Sequence, residues 1–438
     1  MNLRSAQMKL PNLLSFVAGI IIFSPILALT TNRTLSNGLQ LIIEQNSYGQ
    51  TTAVFILIQG GKLADPPGKA GLGYLVTRLC LDPPDNDFLK NFMKNGADIR
   101  IAAKGDFLLI SIECLSSDFE NIMKLIFRTF SQPIFSSLRI GNLKENLKSN
   151  QKKERDDVDS QADLTLLETF FGASGYGASG YGTPVSVESF KGEDATNYHR
   201  KYFVGANMIM SVVSNLDPDL IISIIESTFG RLPRGESCQI PSPKPIVPDK
   251  KEICLTKETP SAFIAAVFPL PEPTTKNYLL SHFLQIILGQ GPSSKMWSLR
   301  TEAGLAYETG SRLILMKGGG LLILYLKTMA DKFSEAKEKF DLKLKEVAEK
   351  GIKGDDLEKA RESYRLSLYK QSESKIKRAE TLAIHQIFGL EKIETHLENI
   401  TFAELEAFFK NVFNLEKSVF FQIIPSRGNL INEKSGSE

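Results

Sequence analysis

The pattern of hydrophobic and polar positions alternates along the chain between short apolar runs and stretches with helical spacing. Apolar, β-branched runs predict strands at 52–59, 98–114 (a pair around Lys104-Gly105), 207–213, 261–268, 312–316, 321–326 and 418–424, with a hairpin turning at Asn37-Gly38. Apolar residues at helical spacing predict helices at 71–81, 118–130, 137–155, 188–203, 217–229, 277–288, 332–349, 355–370, 378–388 and 402–413.

The order of these elements occurs twice. A helix that ends in Lys-Tyr-Phe and is followed by MIMSVVS near 200–214 has a counterpart that ends in Asn-Val-Phe and is followed by VFFQIIPS near 411–426. The offset of roughly 210 residues indicates two homologous halves and not a short-period solenoid. Strands and helices occur in blocks with hairpins between them, which favours an α+β fold over a doubly wound α/β fold.

A segment with five prolines, 233–250, separates the halves and has the composition of a linker. The expected organisation along the chain is an N-terminal signal or membrane anchor at 1–30, a first domain at 31–232, the linker at 233–250, a second domain at 251–428 and a polar tail at 429–438.

The N-terminus carries a targeting pattern. Arg4 and Lys9 precede an apolar stretch at 13–29, and Ala28 and Thr30 offer small residues for cleavage. A secretory signal is the first interpretation, and an uncleaved anchor is the second, because the apolar stretch is near the lower length limit for a membrane span. Either one predicts an exported protein that is periplasmic or otherwise extracytoplasmic, free or tethered to the membrane.

Composition narrows the chemistry further. The chain has 438 residues, with 52 Lys and Arg against 50 Asp and Glu, and this balance argues against a dedicated nucleic-acid binder. It has four His and four Cys. The cysteines show no metal-binding spacing; Cys80 and Cys114 are expected to be buried, and a disulfide between Cys238 and Cys254 stays open.

Several short motifs are spread along the chain: Asn37-Gly38-Leu39, Gly60-Gly61-Lys62, Gly68-Lys69-Ala70-Gly71-Leu72, Tyr181-Gly182-Thr183-Pro184, the segment 198–203 and Asn215-Leu216-Asp217. Together they resemble the insulinase/pitrilysin family of zinc metallopeptidases, which includes the mitochondrial processing peptidases. The resemblance covers nearly all of the chain after the N-terminal segment. It implies two similar halves, each an antiparallel sheet packed with helices, and extended peptide substrates bound along a sheet edge.

The family's zinc motif, H-x-x-E-H, is degenerate in this sequence. Its positions fall on Tyr74, Thr77 and Arg78. Threonine cannot act as a base near neutral pH, and a guanidinium adds a cation and offers no lone pair to a metal. The family's downstream Glu ligand should fall at 148–150, where no carboxylate stands. No metal is therefore expected in this chain, and the four scattered histidines are expected to be isolated or satisfied side chains.

The second half retains a different family signature. The segment beginning at Gly289 reads GQGPSSKMWSLRTEAGLAY and contains Arg300 and Tyr307 at the family spacing. The resemblance implies that this pair binds substrate carbonyls and supports the oxyanion of an active site formed with another half. The alternative is structural: Arg300 caps a helix and Tyr307 packs in a core. Gly289 and Gly291 occupy the place of a substrate loop in the non-catalytic processing-peptidase subunit, or form only a turn.

The sequence therefore predicts a catalytically incomplete peptidase subunit. It would be inactive alone and proteolytic only in a heterodimer or larger complex with an active paralogue, and zinc is expected in that partner chain. Peptides or unfolded proteins are the expected substrates. A scaffold or peptide-binding protein with no role in proteolysis is the alternative, and a peptidase with an unrecognised site is a third hypothesis.

Overall fold

The computed structural model describes residues 30–82, 90, 94, 96–301 and 304–426. The predicted N-terminal signal, apart from Thr30, and the polar tail at 429–438 lie outside the described residues. Within these ranges, no helix combines the length and the apolar character needed to cross a bilayer.

The first half is built around one sheet with strand order β1-β2-β6-β3-β5-β4. Its strands are β1 (Thr30–Thr34), β2 (Gln40–Gln45), β3 (Thr51–Gln59), β4 (Asp98–Ala103), β5 (Phe107–Leu115) and β6 (Met208–Ser214). Its helices are α1 (Leu72–Cys80), α2 (Phe119–Ser131), α3 (Ser137–Asp156), α4 (Val158–Phe171), α5 (Pro184–Glu188), α6 (Gly192–Tyr202) and α7 (Pro218–Ser227).

The second half repeats this plan with strand order β7-β11-β8-β10-β9. Its strands are β7 (Glu252–Lys257), β8 (Ser261–Leu270), β9 (Glu308–Met316), β10 (Gly319–Met329) and β11 (Val419–Pro425). Its helices are α8 (Thr275–Gly289), α9 (Ser298–Thr301), α10 (Phe333–Lys350), α11 (Gly354–Ser372), α12 (Lys375–Phe388), α13 (Ile393–His396) and α14 (Phe402–Val412).

The two sheets confirm the predicted α+β duplication. Corresponding strands, such as β3 with β8 and β6 with β11, lie roughly 210 residues apart along the chain. Both sheets are antiparallel except for one corresponding pair in each, because β2 runs parallel to β6 and β7 runs parallel to β11. A parallel pair needs a long crossover, and here the rest of each half supplies it.

The halves are interlocked through an exchange of helices. Helix α4 of the first half packs Ala162, Leu166 and Phe170 on the second sheet. Helix α12 of the second half packs Ala379, Ala383 and Ile387 on the first sheet. Each sheet thus has one face covered by a helix from the other half, and this apolar burial makes a single structural unit from two homologous parts.

Polar contacts reinforce the exchange at α12. The Arg378 guanidinium pairs with the buried Glu44 carboxylate of β2 at 2.8 Å, and Ser211 Oγ donates a hydrogen bond to the Ala379 carbonyl at 2.6 Å. The linker 233–250 contains no helix or strand, but it is held to the body, since Ile246 N donates to the Phe170 carbonyl at 2.8 Å.

Some local predictions were wrong or incomplete. The helix predicted at 188–203 begins only at Gly192, as α6, because Lys191 is extended and residues 189–191 separate α6 from the short helix α5. Helix α4 was not predicted, and neither was β7, an edge strand whose residues alternate between exposed and partly buried. All four cysteines are free, so the open disulfide between Cys238 and Cys254 is not formed.

Candidate functional site

The start of α1, which carries the degenerate motif, is held by buried polar contacts. The Asp65 carboxylate accepts hydrogen bonds from Gly71 N at 2.7 Å and from Gly73 N at 2.8 Å. Burial raises the pKa of Asp65 to about 7, against the effect of these two amide donors. Gly71 has a φ of +89°, and a Cβ there would lie 2.6 Å from Gly182 N. The glycines at these two motif positions, Gly71 and Gly182, are therefore explained by the close approach of two backbone segments, which requires no metal.

The three motif positions differ in their surroundings. The Tyr74 ring packs edge-on against Tyr181 with centroids 5.0 Å apart, and burial raises the pKa of its phenol. The Thr77 side chain is buried, with 1% of its surface exposed, and its hydroxyl donates to the Gly73 carbonyl at 2.8 Å. Arg78 is exposed, and its guanidinium has no hydrogen bond or ion pair within the described chain.

A cleft of about 320 Å³ between α1 and α3 is lined by two of the three motif positions, whereas Thr77 does not reach it. Tyr74 and Arg78 contribute from α1, while Ser149 and Asn150, near the expected downstream ligand, contribute from α3. The side chain of Lys148 is bound elsewhere, at 2.8 Å from Glu145 and 2.5 Å from Glu188. The full lining is Tyr74, Leu75, Arg78, Leu143, Asn146, Leu147, Ser149, Asn150 and Lys153.

The chemistry of this lining does not fit zinc. Zinc takes imidazole, thiolate or carboxylate ligands, and the cleft lining contains none of these groups. A phenol of raised pKa is a poor anionic donor, and Arg78 and Lys153 add two positive charges. Over the described ranges of the chain, no group of three or more His, Cys, Asp or Glu is arranged to hold a metal ion.

The histidines are engaged in local contacts. His199 Nε2 lies 2.9 Å from the Phe130 carbonyl, and His282 Nδ1 lies 2.8 Å from the Tyr278 carbonyl. Burial lowers the pKa of His282 and of His385 to about 4, so both are neutral at pH 7. His396, near the surface, pairs with Glu391 at 2.8 Å.

Arg300 and Tyr307 lie outside the cleft, on the second half. Arg300 is an exposed residue of the short helix α9, and its guanidinium carbon lies 5.1 Å from the centre of the Trp297 ring. The Tyr307 side chain is 50% exposed, and its amide donates to the Lys327 carbonyl at 3.1 Å, directly before edge strand β9. A phenol this exposed does not pack in a core. Both side chains are available to a molecule outside this chain.

The two glycines at the proposed loop have different surroundings. Gly289 ends α8, and a Cβ there would lie 2.5 Å from the Ser311 side chain, so packing alone requires glycine. Gly291 has a φ of +76°, with open space around its Cα, and Ser294 N donates to its carbonyl at 3.1 Å. The segment between them is a tight turn that leads from α8 towards α9.

A second cavity, of about 620 Å³, lies between the halves and was not predicted. Lys62 lines it, but its ammonium donates to the Tyr176 and Ala178 carbonyls, both at 2.6 Å, and burial lowers its pKa to about 8. Asp163 also lines it, and burial raises the pKa of this carboxyl to about 6, against the nearby positive charge of Arg312. In the sequence, the Gly60-Gly61-Lys62 motif could have indicated this site, because the ammonium of a lysine next to buried glycines must find backbone carbonyls as hydrogen-bond acceptors.

Comparisons with known proteins agree with this geometry. A family model described as insulinase (peptidase family M16) matches residues 40–184, and one described as peptidase M16 inactive domain matches residues 189–364. The non-peptidase homolog YmxG of Helicobacter pylori is 21% identical over 356 residues, covering 80% of this chain and 82% of that protein.

Two further matches are a solved structure and a subunit of a processing peptidase. A crystal structure of a peptidase M16 inactive domain from Pseudomonas fluorescens superposes with a TM-score of 0.81 at 16% identity, covering 91% of this chain and 98% of that one. The mitochondrial-processing peptidase subunit alpha-1 of Dictyostelium discoideum is 23% identical over 208 residues, or 46% of this chain and 31% of that protein.

Proposed function

The chain belongs to the insulinase family, peptidase family M16, as a member without the catalytic zinc motif, and we propose that it works as a peptide-binding subunit. In this proposal a separate, zinc-bearing paralogue supplies the hydrolytic centre, and this chain supplies donors that complete it. The expected location is outside the cytoplasm, with the N-terminal segment either removed or retained as a tether.

The observation that carries the proposal is the contrast between the two family signatures. The zinc position is occupied by Tyr74, the buried Thr77 and the cationic Arg78, which can neither ligate the metal nor activate water. Arg300 and Tyr307, by contrast, are exposed and have no hydrogen-bond partner for their side chains in the described part of the chain. A guanidinium and a phenol can donate to a substrate carbonyl and to the oxyanion formed from it.

The sheet edges support the peptide-binding part of the proposal. β4 is one of the two outer strands of the first sheet and lies against α1, while β9 is one of the two outer strands of the second sheet and begins next to Tyr307. An outer strand presents unpaired amides and carbonyls, to which an extended peptide can add as a further strand.

The test is hydrolysis of an unstructured peptide by this chain, by a zinc-bearing paralogue from the same organism, and by the two together. We expect hydrolysis to require both chains, and Arg300→Ala or Tyr307→Phe to lower kcat by a factor on the order of 100. The matched controls are Arg33→Ala and Tyr369→Phe, which change exposed residues of the same types and should leave the rate unchanged.

The alternative is a scaffold of the same fold without a role in proteolysis. The interlocked halves and the absence of metal donors from the cleft between α1 and α3 suit a rigid structural protein equally well. If the mixture hydrolyses peptide and neither Arg300→Ala nor Tyr307→Phe changes the rate, the shared site is wrong and the scaffold is favoured. Chelator-sensitive hydrolysis by this chain alone would instead indicate a site of its own.

A further inference from the structure

The cleft between α1 and α3 has lost its metal donors and has gained positive charge. Arg78 and Lys153 both line it, and neither side chain has a hydrogen bond or an ion pair within the described residues. No Asp or Glu contributes to the lining. The site of a dication in the family has therefore become a cationic cleft whose charges have no counterion among the residues that the structure describes.

Neutral hydrogen-bond donors lie on the same helix faces as the two cations, Arg78 and Lys153. Asn146, Asn150 and Lys153 follow one another on α3 at spacings of four and three residues, which places them on one face. Tyr74 and Arg78 are four residues apart on α1 and face the same cleft. The side-chain amides, like the two cations, have no hydrogen-bond partner in the part of the chain that the structure describes.

The acidic residues near this face do not enter the cleft. Glu145 and Glu188 both pair with Lys148, and Glu154 lines the separate cavity between the halves, where it accepts a hydrogen bond from Ser179 Oγ at 2.5 Å. Among the described residues, therefore, no carboxylate of α3 or of the adjoining α5 lies in the lining beside Arg78 and Lys153. An anion entering the cleft would therefore meet hydrogen-bond donors that have no bond to another described residue to give up before they bind it.

We propose that this cleft binds a carboxylate of the peptide held by the subunit. The planar fork of a guanidinium fits a carboxylate with two parallel hydrogen bonds, and the amides and ammonium can donate to its remaining lone pairs. Leu75, Leu143 and Leu147 line the cleft beside these donors and suit the methylene groups of an acidic side chain. The volume of about 320 Å³ accommodates one side chain or one chain terminus.

This inference rests on the proposed function, because it assumes that a peptide runs along the body near α1. Helix α1 packs directly against β4, the outer strand to which such a peptide could add. A carboxylate in the cleft would then set the position of the peptide along that edge. In an active family member the metal occupies this place, and here the same place would select for an acidic group.

The test is binding of three fluorescent peptides of one sequence to the full chain. The first has an internal Glu and an amidated C-terminus, the second has Gln in its place and is amidated, and the third has Gln and a free C-terminal carboxylate. We expect one of the two carboxylate peptides to bind roughly tenfold or more tightly than the neutral one, and the better of them identifies the source. Inorganic phosphate serves as a competitor of different anion shape.

Variants of the lining residues test whether the cleft causes the preference for a carboxylate peptide over the neutral one. Arg78→Gln and Lys153→Gln should each remove most of the preference for the carboxylate peptide. Lys152→Gln removes an equal charge from the next position of α3, outside the lining, and should keep it. Arg78 is exposed and has no ion pair with the described residues, so Arg78→Gln should leave the thermal unfolding midpoint unchanged, which excludes misfolding as the cause.

Three results would overturn the carboxylate site: equal binding of all three peptides, a preference that survives Arg78→Gln, or strong competition by phosphate with no preference between carboxylate and neutral peptides. None of these results would decide the proposed function. That function is judged separately by hydrolysis of the neutral peptide in the mixture with the paralogue, where the effects of Arg300→Ala and Tyr307→Phe do not depend on the cleft.

Discussion

At the scale of single residues, the start of α1 is held by contacts that need no metal. Asp65 binds the amides of Gly71 and Gly73, and Tyr74 packs on Tyr181. Thr77, which the resemblance aligns with the family's general base, is buried and bonded to its own helix backbone. A small, neutral side chain is therefore suited to this position, while a carboxylate without a metal nearby is not.

Thr77→Glu is expected to destabilise the protein, whereas Thr77→Val should change little. A carboxylate at a position with 1% exposure would lose most of its hydration. The expected loss in the free energy of unfolding is on the order of 2 kcal/mol or more. Urea denaturation of the two variants checks this, and equal stability of Glu and Val at position 77 would contradict it.

The buried histidines predict a dependence of stability on pH. Burial lowers the pKa of His385 from its ordinary 6.5 to about 4, and its Nε2 has no hydrogen-bond partner among the described residues. Because the unfolded chain binds the proton first, the stability from this group is present above pH 6.5 and is lost as the pH falls towards 4. His385→Phe should make the fall of unfolding free energy in this window shallower, by denaturation at several pH values. An unchanged slope would contradict the assignment.

At the scale of helices and strands, the sequence predicted most elements because their hydrophobic periods are clear, as in β3, β8 and α8. It did not predict α4, whose polar Asp, Ser, Gln and Thr residues hide the stripe formed by Ala162, Leu166 and Phe170. These three side chains are buried only because they pack on the second sheet, whose strands lie far away in the sequence. For the same reason the sequence located Tyr74 and Arg78 but not Lys153 and Asn146, which only the packing of α3 against α1 brings to the same cleft.

The contact of α4 with the second sheet is expected to contribute strongly to stability. Phe170 is 1% exposed among residues of β8, β10 and β11, so Phe170→Ala should lower the free energy of unfolding by about 3–5 kcal/mol. Leu366→Ala, at a side chain with 53% exposure on α11, is the control and should cost little. Urea denaturation compares them, and similar losses for both would show that α4 is not a structural part of the second half.

At the scale of the whole molecule, the reciprocal exchange of α4 and α12 makes each half depend on the other. The duplication was visible in the sequence, but the exchange was not, since a repeat of roughly 210 residues describes separate and interlocked halves equally well. The linker 233–250 therefore joins parts that are already bound to each other. The cavity between the halves, with Lys62 and Asp163, is a consequence of that arrangement.

The isolated segment 31–232 is expected not to fold to its native state. Without α12, the first sheet would expose an apolar face that includes Phe55, Leu57 and Val213. We expect aggregation or binding of a hydrophobic dye by this fragment, and recovery of a soluble complex when it is refolded together with 233–438. A monomeric fragment with cooperative unfolding of its own would contradict the interlocked description.

The proposed function requires that the segment of α1 resembling the zinc motif holds no metal. The measurement is the zinc content of the purified full-length chain after loading with zinc and removal of free metal by gel filtration, determined by mass spectrometry of the metal. We expect zinc far below one equivalent, with no change on mutation of Tyr74 or Arg78. Near-stoichiometric zinc retained by the isolated chain would contradict it.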